Sequence, residues 1–168
     1  ELKGVLDAAN VDVKSFSDTF YKKTCGATLK PVRDSVERMR AAGIWVEITT
    51  LLIPGHNDGD DEIREIAKWI NSVDNSMPWH ISAFHPAYKM LNVPPTPVET
   101  LVRARELGMA EGVRYVYTGN VPGIKGESTY CHNCKGLLIE RVGFTVKKNQ
   151  IRDSKCPQCG ASVAGVGL

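Results

Sequence analysis

Hydrophobic and polar positions in residues 1–121 alternate between strand-like and helix-like periods. Short apolar runs rich in β-branched side chains predict four strands, at residues 9–13, 44–53, 79–84 and 113–117. Between these runs, apolar residues recur every three or four positions, which is typical of amphipathic helices. The predicted helices cover residues 18–25, 31–42, 60–72 and 97–108.

Local signals mark where several of these helices begin and end. Ser17 precedes the first helix as a capping residue, Pro31 begins the second, and Gly43 is placed to terminate it. The segment Thr96-Pro97-Val98-Glu99 has the form of a capping box with proline at the first helical position. These signals support the helix assignments independently of the apolar period.

Three strand–helix units followed by a fourth strand predict an α/β fold. Right-handed crossovers make successive strands parallel and place each helix on a face of the sheet. The sheet could be open and doubly wound, or it could be part of a barrel. The glycine-rich motifs GxGxxG and GxxxxGKS/T do not occur, so the sequence does not indicate a nucleotide-binding fold of those kinds.

The amino-acid composition excludes few functional classes, but its change along the chain indicates two units. Of the 168 residues, 42% are hydrophobic and 24% are charged, as in an ordinary globular protein. The net charge of +2 makes nucleic acid an unlikely partner, and no apolar run approaches the roughly 18 residues of a membrane span. A loop-like stretch at residues 122–128 predicts two units, 1–121 and 122–168.

Four cysteines in the second unit predict a metal site. Cys131 and Cys134 form one Cys-x-x-Cys pair, and Cys156 and Cys159 form a second pair 21 residues later. Predicted strands at residues 137–140 and 144–148 can form a hairpin that brings the pairs together around one tetrahedral ion. Zinc is favoured, although iron uses the same ligands. Four thiolates leave no open position, so we expect a structural site.

Two other readings of the four cysteines are reduced pairs without a metal and disulfides. Disulfides would require a small secreted scaffold, whereas a long cysteine-poor α/β pattern precedes these pairs, so we expect a reducing cytoplasm.

His132 lies inside the first pair and is expected to be exposed and not a ligand, because four sulfurs already fill the site. Glycines Gly136 and Gly160 follow the pairs, where a tight turn needs a permissive backbone. The fifth cysteine, Cys25, is expected to be a structural thiol.

Polar side chains follow the predicted strands at their carboxyl ends, where parallel α/β folds collect their chemistry. Asp12 and Lys14 are two residues apart and share one face of a strand, either as part of a site wall or as a simple salt bridge. Thr49 and His85 end the next two strands. Glu47 lies within an apolar strand, so it should pair with Lys14, bind a ligand or lie at an exposed edge.

Together these segments resemble radical SAM enzymes of the pyruvate formate-lyase activating type. The resemblance is carried by Asp12-Val13-Lys14, by Ile53-Pro54-Gly55-His56-Asn57-Asp58 and by Phe84-His85-Pro86, in that order and spacing. The sequence is most similar to the radical SAM member of the AmmeMemoRadiSam group, which has a similar strand before Pro54-Gly55 and a similar terminal Cys-x-x-Cys ribbon. The resemblance covers essentially the whole chain.

That resemblance implies a partial (βα)6 barrel that binds a [4Fe–4S] cluster and S-adenosylmethionine (SAM) and generates a 5′-deoxyadenosyl radical. It implies that Asp12 and Lys14 meet the ribose or methionine part of SAM and that His85 lies near the nucleoside. Thr49 falls where the activating enzymes carry an arginine, which is a departure from the family. The cluster motif Cys-x-x-x-Cys-x-x-Cys is also absent from the sequence. We therefore expect a C-terminal half of the barrel that is inactive as it stands.

The function expected from the sequence is thus a portion of a radical SAM enzyme that acts on an unidentified protein or small molecule. The alternative is a non-catalytic zinc-ribbon module that docks a protein or nucleic-acid partner. A third reading, an aldolase-like barrel in which Lys14 forms a Schiff base, would require that lysine to be desolvated.

Overall fold

A computed structural model of the protein, which describes residues 4–121 and 123–167, contains two β-sheets. The larger sheet has four strands in the order β1-β2-β3-β4, and every neighbouring pair is parallel. Its strands are β1 (Ala8–Asp12), β2 (Trp45–Leu52), β3 (Trp79–Ala83) and β4 (Val116–Gly119). The predicted α/β fold with a parallel sheet is confirmed.

Helices connect the strands as the sequence predicts. They are α1 (Asp18–Phe20), which continues into a π-helical turn (Tyr21–Cys25), α2 (Leu29–Ala41), α3 (Asp60–Asp74) and α4 (Val98–Ala110). The Ser17 hydroxyl accepts a 3.2 Å hydrogen bond from the Phe20 amide, so the predicted cap is present. Gly43 has φ +83° and ends α2, also as predicted. Within the described residues, no helix has the length and apolarity needed to cross a membrane.

Three predicted boundaries are wrong. Helix α2 begins two residues before Pro31, so that proline lies in the first turn and does not begin it. The capping box is absent, because the buried Thr96 hydroxyl accepts from the Phe84 amide at 2.8 Å and donates to the Leu52 carbonyl at 2.6 Å. Strand β4 begins at Val116 and not at Val113 as predicted, because its pairing with β3 starts where Val116 pairs with Trp79.

The two faces of the larger sheet differ in chemistry. One face is apolar and fully buried: Val46, Ile48, Leu52, Trp79 and Ile81 pack there with helix residues that include Ile63, Ile66, Ile70 and Leu101. The opposite face is partly exposed and carries most of the polar side chains of the strands, and we call it the polar face. Its residues are Asn10, Asp12, Trp45, Glu47, Thr49, His80, Ser82 and Tyr117.

Strand order separates the two topologies that the sequence leaves open. A doubly wound sheet reverses its strand order and has helices on both faces. Here each strand pairs with the next one in sequence, and right-handed crossovers without reversal place the helices on one face. The described sheet is therefore singly wound, and its polar face lies away from the helices.

The smaller sheet forms a compact unit that we call the ribbon. Its antiparallel strands are β5 (Thr129–Tyr130), β6 (Leu137–Val142) and β7 (Thr145–Asn149). All five residues of β7 are exposed. The buried residues of the ribbon form one small cluster with Tyr115 of the segment before β4: Cys131, Leu138, Ile139, Cys156 and Val163. The ribbon thus packs against the edge of the larger sheet through very few apolar side chains.

Candidate functional site

The four cysteines of the ribbon converge on one point. Their sulfur atoms all lie within 4.8 Å of one another, and Cys131–Cys159 and Cys134–Cys156 are each 3.7 Å apart. Four sulfurs placed about 2.3 Å from a tetrahedral ion lie about 3.8 Å apart. All four thiols are free, and the separations far exceed a disulfide bond of about 2.0 Å. The arrangement fits one tetrahedral metal ion and not two disulfides.

Two matching backbone turns hold these thiols. In the first, the Cys131 amide donates to the Gly136 carbonyl and the Lys135 amide donates to the Cys131 carbonyl. In the second, the Cys156 amide donates to the Ala161 carbonyl and the Gly160 amide donates to the Cys156 carbonyl. The positive φ falls on Lys135 in one turn and on Gly160 in the other. The turn role expected for Gly136 is therefore wrong; a Cβ there would instead displace the amide end of the Gln158 side chain.

The electrostatics of the cluster favour a thiolate at one ligand. Hydrogen bonds from the Ala161 backbone amide and the Asn133 side chain lower the pKa of Cys159 to about 6. A thiolate present at neutral pH is the form that binds zinc or iron. At Cys134 the Gly136 amide also favours the thiolate, but burial and neighbouring thiols outweigh it and raise the pKa to about 11. A metal ion would displace this proton on binding.

His132 is not exposed as expected. Its side chain is half-buried, and its ring meets the Tyr115 ring edge-on with centroids 6.3 Å apart. The histidine belongs to the contact between the ribbon and the larger sheet. Cys25 is exposed, and desolvation raises its pKa, so it lacks the activated thiolate that a catalytic cysteine needs.

At the carboxyl end of β1, Asp12 and Lys14 form an ion pair. The Lys14 ammonium lies 2.8 Å from the Asp12 carboxylate, with side-chain exposures of 37% and 51%. The salt bridge considered from the sequence is therefore present, and both charges remain accessible. A lysine held as an ion pair in contact with water is not desolvated as a Schiff-base lysine must be. The aldolase-like reading is thus disfavoured.

Asn57 holds this strand end in place, and sequence reasoning gave it no role. The side chain is 1% exposed and donates to the carbonyls of Lys14 and Leu51 at 2.6 and 2.9 Å. Its own carbonyl oxygen accepts from the Ile53 amide at 2.7 Å. Asn57 therefore ties the exit of β1 to the exit of β2. The signal for it was the Pro54-Gly55-His56-Asn57 turn, where an asparagine can bond the backbone.

Further hydrogen bonds fix the backbone that follows β1. The Thr50 hydroxyl donates to the Val13 carbonyl at 2.8 Å, and the Lys14 amide donates to the Tyr21 phenol at 3.0 Å. Glu62 of α3 accepts from the Phe16 amide at 2.8 Å and from the Ser15 hydroxyl. The backbone that carries Lys14 is thus fixed from three elements, which is how a binding group is preorganised.

Thr49 lies inside β2, level with the end of β1, and His85 lies just after β3. Thr49 pairs with Asp12 in the β1–β2 register, and its hydroxyl donates to Asn10 at 3.0 Å. His85 follows β3, is exposed, and its Nε2 lies 3.2 Å from the Asn120 carbonyl oxygen. The fold thus brings Asp12, Lys14 and Thr49 to adjacent positions and leaves His85 two strand exits away from Asp12. Their cofactor roles stay predictions.

Glu47 pairs with a residue other than the one expected. Its carboxylate lies 2.7 Å from His80 Nε2 and accepts from the Trp45 indole at 3.2 Å, so the suggested pairing with Lys14 is wrong. The His80 hydrogen bond, ahead of the Trp45 bond, lowers the pKa of Glu47 against the opposing effect of burial. The His80 ring also stacks on Tyr117 with centroids 5.1 Å apart. The sequence signal for this pair was that His80 lies on the same face of the adjacent strand as Glu47.

Comparison with known proteins identifies the first part of the chain. Residues 1–70 match the family model of the Radical SAM superfamily. These residues, under half of the chain, are therefore similar to the radical SAM superfamily. They contain β1, α2 and β2, and with them Asp12, Lys14, Thr49 and Asn57.

One curated relative and one solved structure extend the similarity beyond this radical SAM segment. Uncharacterized protein MJ0808 of Methanocaldococcus jannaschii is 46% identical over 161 residues, which cover 94% of this chain and 48% of that protein. The chain thus spans about half the length of this relative. A domain of pyruvate-formate lyase-activating enzyme from Bacteroides vulgatus has the same fold, with a TM-score of 0.58 and 16% identity over 68% of each chain.

Proposed function

We propose that this chain forms part of a radical SAM enzyme and supplies binding contacts for SAM from the carboxyl ends of β1, β2 and β3. The superfamily match implies SAM and an iron–sulfur cluster as cofactors. When bound beside such a cluster, SAM supplies a 5′-deoxyadenosyl radical. The observation that carries the proposal is the accessible Asp12–Lys14 pair on a strand end that Asn57, Tyr21 and Thr50 hold in place.

Asp12 and Lys14 are complementary to the methionine part of SAM. That part carries an ammonium and a carboxylate, so Asp12 and Lys14 can exchange their mutual ion pair for two pairs with the ligand. Both groups are partly exposed, so the exchange does not require burying an unpaired charge. Thr49 and His85 offer a hydroxyl and a ring nitrogen to the rest of the nucleoside.

The ribbon cysteines do not fit the catalytic cluster. The superfamily motif Cys-x-x-x-Cys-x-x-Cys does not occur in the sequence. The sulfurs of the ribbon surround a single point within 4.8 Å of one another, whereas a cube of four irons needs ligands spread around its corners. We therefore propose that cluster ligands come from other parts of a longer polypeptide, and that the ribbon holds zinc or a single iron.

Titration of anaerobically purified chain with SAM by calorimetry tests the binding proposal. We expect Asp12→Asn and Lys14→Ala each to weaken binding about tenfold or more, because each loses a hydrogen bond to a charged group. The exposed Lys30–Asp34 pair of α2 has a similar geometry at 2.6 Å and gives the matched controls Asp34→Asn and Lys30→Ala. Absence of SAM binding, or equal losses in both pairs, would contradict the proposal.

Radical chemistry is tested in the longer polypeptide. With a reduced cluster, formation of 5′-deoxyadenosine is expected and should fall in the Asp12→Asn and Lys14→Ala variants. An intact reading frame that encodes no Cys-x-x-x-Cys-x-x-Cys motif would refute the radical proposal outright.

The alternative function, a ribbon that docks a partner, is supported by one feature. The β6–β7 hairpin exposes Val142, Phe144 and Val146, which is unusual for apolar side chains so close together. Calorimetry with SAM also separates the two functions, because a docking module has no reason to bind SAM through Asp12 and Lys14.

A further inference from the structure

A cavity lies between the polar face of the larger sheet and the ribbon. Its volume is about 890 Å³, within the range of pockets that bind small organic ligands. The sheet contributes Glu47, His80 and Tyr117 to its wall, and β6 of the ribbon contributes Ile139 and Arg141. The cavity therefore needs both units, and neither unit would form it alone.

On the sheet side, the polar groups are already paired with one another. Each Glu47 carboxylate oxygen has a partner, one in Trp45 and the other in His80. The Tyr117 hydroxyl lies 2.9 Å from the Thr129 hydroxyl at the start of the ribbon. This wall is a satisfied hydrogen-bonded network, which holds its members in fixed positions.

On the ribbon side, Arg141 faces the cavity and makes no direct ion pair within the part of the chain that the structure describes. His80 is the main cause of the lowered pKa of Glu47, and burial is the main cause of the raised pKa of Tyr117; in both cases the positive charge of Arg141 makes a smaller, lowering contribution. Across residues 4–121 and 123–167, no ion pair or hydrogen bond is made by its guanidinium, whereas its backbone pairs with Val146 of β7 and its amide donates to the Ser128 hydroxyl at 3.1 Å. The other acid of the wall, Glu127, accepts from the Gly143 amide at 3.1 Å.

An unengaged guanidinium in a cavity is well matched to an acidic ligand. Arginine presents a planar set of donors that bind a carboxylate or phosphate through two parallel hydrogen bonds. The remaining wall adds flat aromatic surface from Trp45 and Tyr117 and apolar surface from Ile139 and Val163. A ligand that fits would join an anionic group to an apolar or aromatic body.

We propose that this cavity binds a small organic acid, a carboxylate or a phosphate ester, whose anionic group is held by Arg141 and whose body lies against the polar face. The inference rests on the proposed function in one respect: only in a radical SAM enzyme would this ligand be the substrate. The site itself is a property of the residues in this chain and can be tested without radical chemistry.

Three probes with the same ring test the proposal: benzoate, phenyl phosphate and the neutral benzamide. Each is titrated into the metal-loaded chain while the Arg141 side-chain Nε–H resonance is followed by NMR at constant ionic strength. We expect saturable shifts with at least one anion and about tenfold or more weaker binding of benzamide. Comparing the two anions assigns the acid class.

Variants complete the test. Arg141→Gln should weaken binding of the anion about tenfold or more, whereas Arg152→Gln, an exposed arginine of the same ribbon, should leave it unchanged. Metal content confirms that each variant keeps its ribbon. Equal affinity for benzamide, an unchanged Arg141→Gln variant, or no saturable shift with either anion would overturn the proposal.

The same preparations separate this proposal from that of SAM binding. Arg141→Gln should keep its SAM affinity, and Asp12→Asn should keep its anion affinity. Loss of only one of the two binding events would therefore identify which proposal has failed.

Discussion

The larger sheet and the ribbon are stabilised by different physics. The sheet buries a continuous apolar face, with buried residues from three strands and three helices. The ribbon buries only a handful of side chains, two of which are cysteines, and one of its strands is exposed along its whole length. A unit with so little core needs a metal or cross-links to fold. The hydrophobic pattern thus specifies the sheet, and ligand chemistry specifies the ribbon.

Removing the metal is the largest change that would sharpen this contrast. In Cys156→Ser, we expect the metal content to fall from about one ion per chain to near zero, because three thiolates no longer close the site. Amide resonances of residues 129–163 should lose their dispersion while those of residues 8–119 keep theirs. Elemental analysis and NMR check this, and the exposed Cys25→Ser is the control. Metal retained at full stoichiometry would show that the contrast is false.

Removing buried apolar volume from the sheet should have the reverse effect. Leu101 is fully buried in the main core, so Leu101→Ala should cost about 2–5 kcal/mol in the free energy of unfolding and leave the metal content unchanged. Val146→Ala, in the exposed β7 strand, should cost less than about 0.5 kcal/mol. Urea denaturation measures both. A larger loss from Val146 than from Leu101 would reverse the comparison.

These differences explain how far the sequence alone could lead. The 3.6-residue period of α3 and the β-branched run of β2 predicted their elements to within a residue or two, because the same buried face that produces each pattern also stabilises it. The predicted start of α4 was wrong because the Thr96 hydroxyl does not cap the helix. It bonds the Phe84 amide and the Leu52 carbonyl, at the ends of two distant strands. Local signals do not record such long-range partners.

The candidate sites also differ in how far the sequence alone could predict them. Cys131, Cys134, Cys156 and Cys159 could be placed together from their spacing, because two close pairs and a hairpin leave few arrangements. The partner of Glu47 could not, because strand register decides whether it meets Lys14 or His80. Arg141 was missed for a related reason: its position opposite Glu47 depends on how the ribbon packs on the sheet, which no periodicity encodes.

A smaller effect is expected at the strand exits. Asn57→Ala would leave the Lys14 and Leu51 carbonyls and the Ile53 amide without their side-chain partner. Unsatisfied buried groups of this kind cost about 1–3 kcal/mol. We expect that loss in urea denaturation, together with weaker SAM binding, because Lys14 is no longer held.

Asn92→Ala, at an exposed loop position, is the control for Asn57. If Asn57→Ala lowers stability and leaves SAM affinity unaltered, the asparagine serves only the fold.

The smallest expected effect is a pH dependence on the polar face. The pKa of Glu47 is held below its ordinary value of 4.5 mainly by His80, so its stabilising contribution is complete above that pH and is lost as pH falls through the lowered pKa. Because the side chain is 36% exposed, the contribution should be under about 1 kcal/mol. Glu47→Gln should reduce the loss of stability on acidification below pH 4.5 in urea titrations. An unchanged slope would mean that the pair contributes nothing.

The order of strands in the larger sheet has a consequence for biosynthesis. Because β1, β2, β3 and β4 pair in the order in which they are translated, each strand that leaves the ribosome finds its neighbour already in place. We expect the sheet to assemble progressively during synthesis, each new strand pairing with the one before it. The four ribbon cysteines follow β4 in the chain, so the metal would be captured after the sheet has formed.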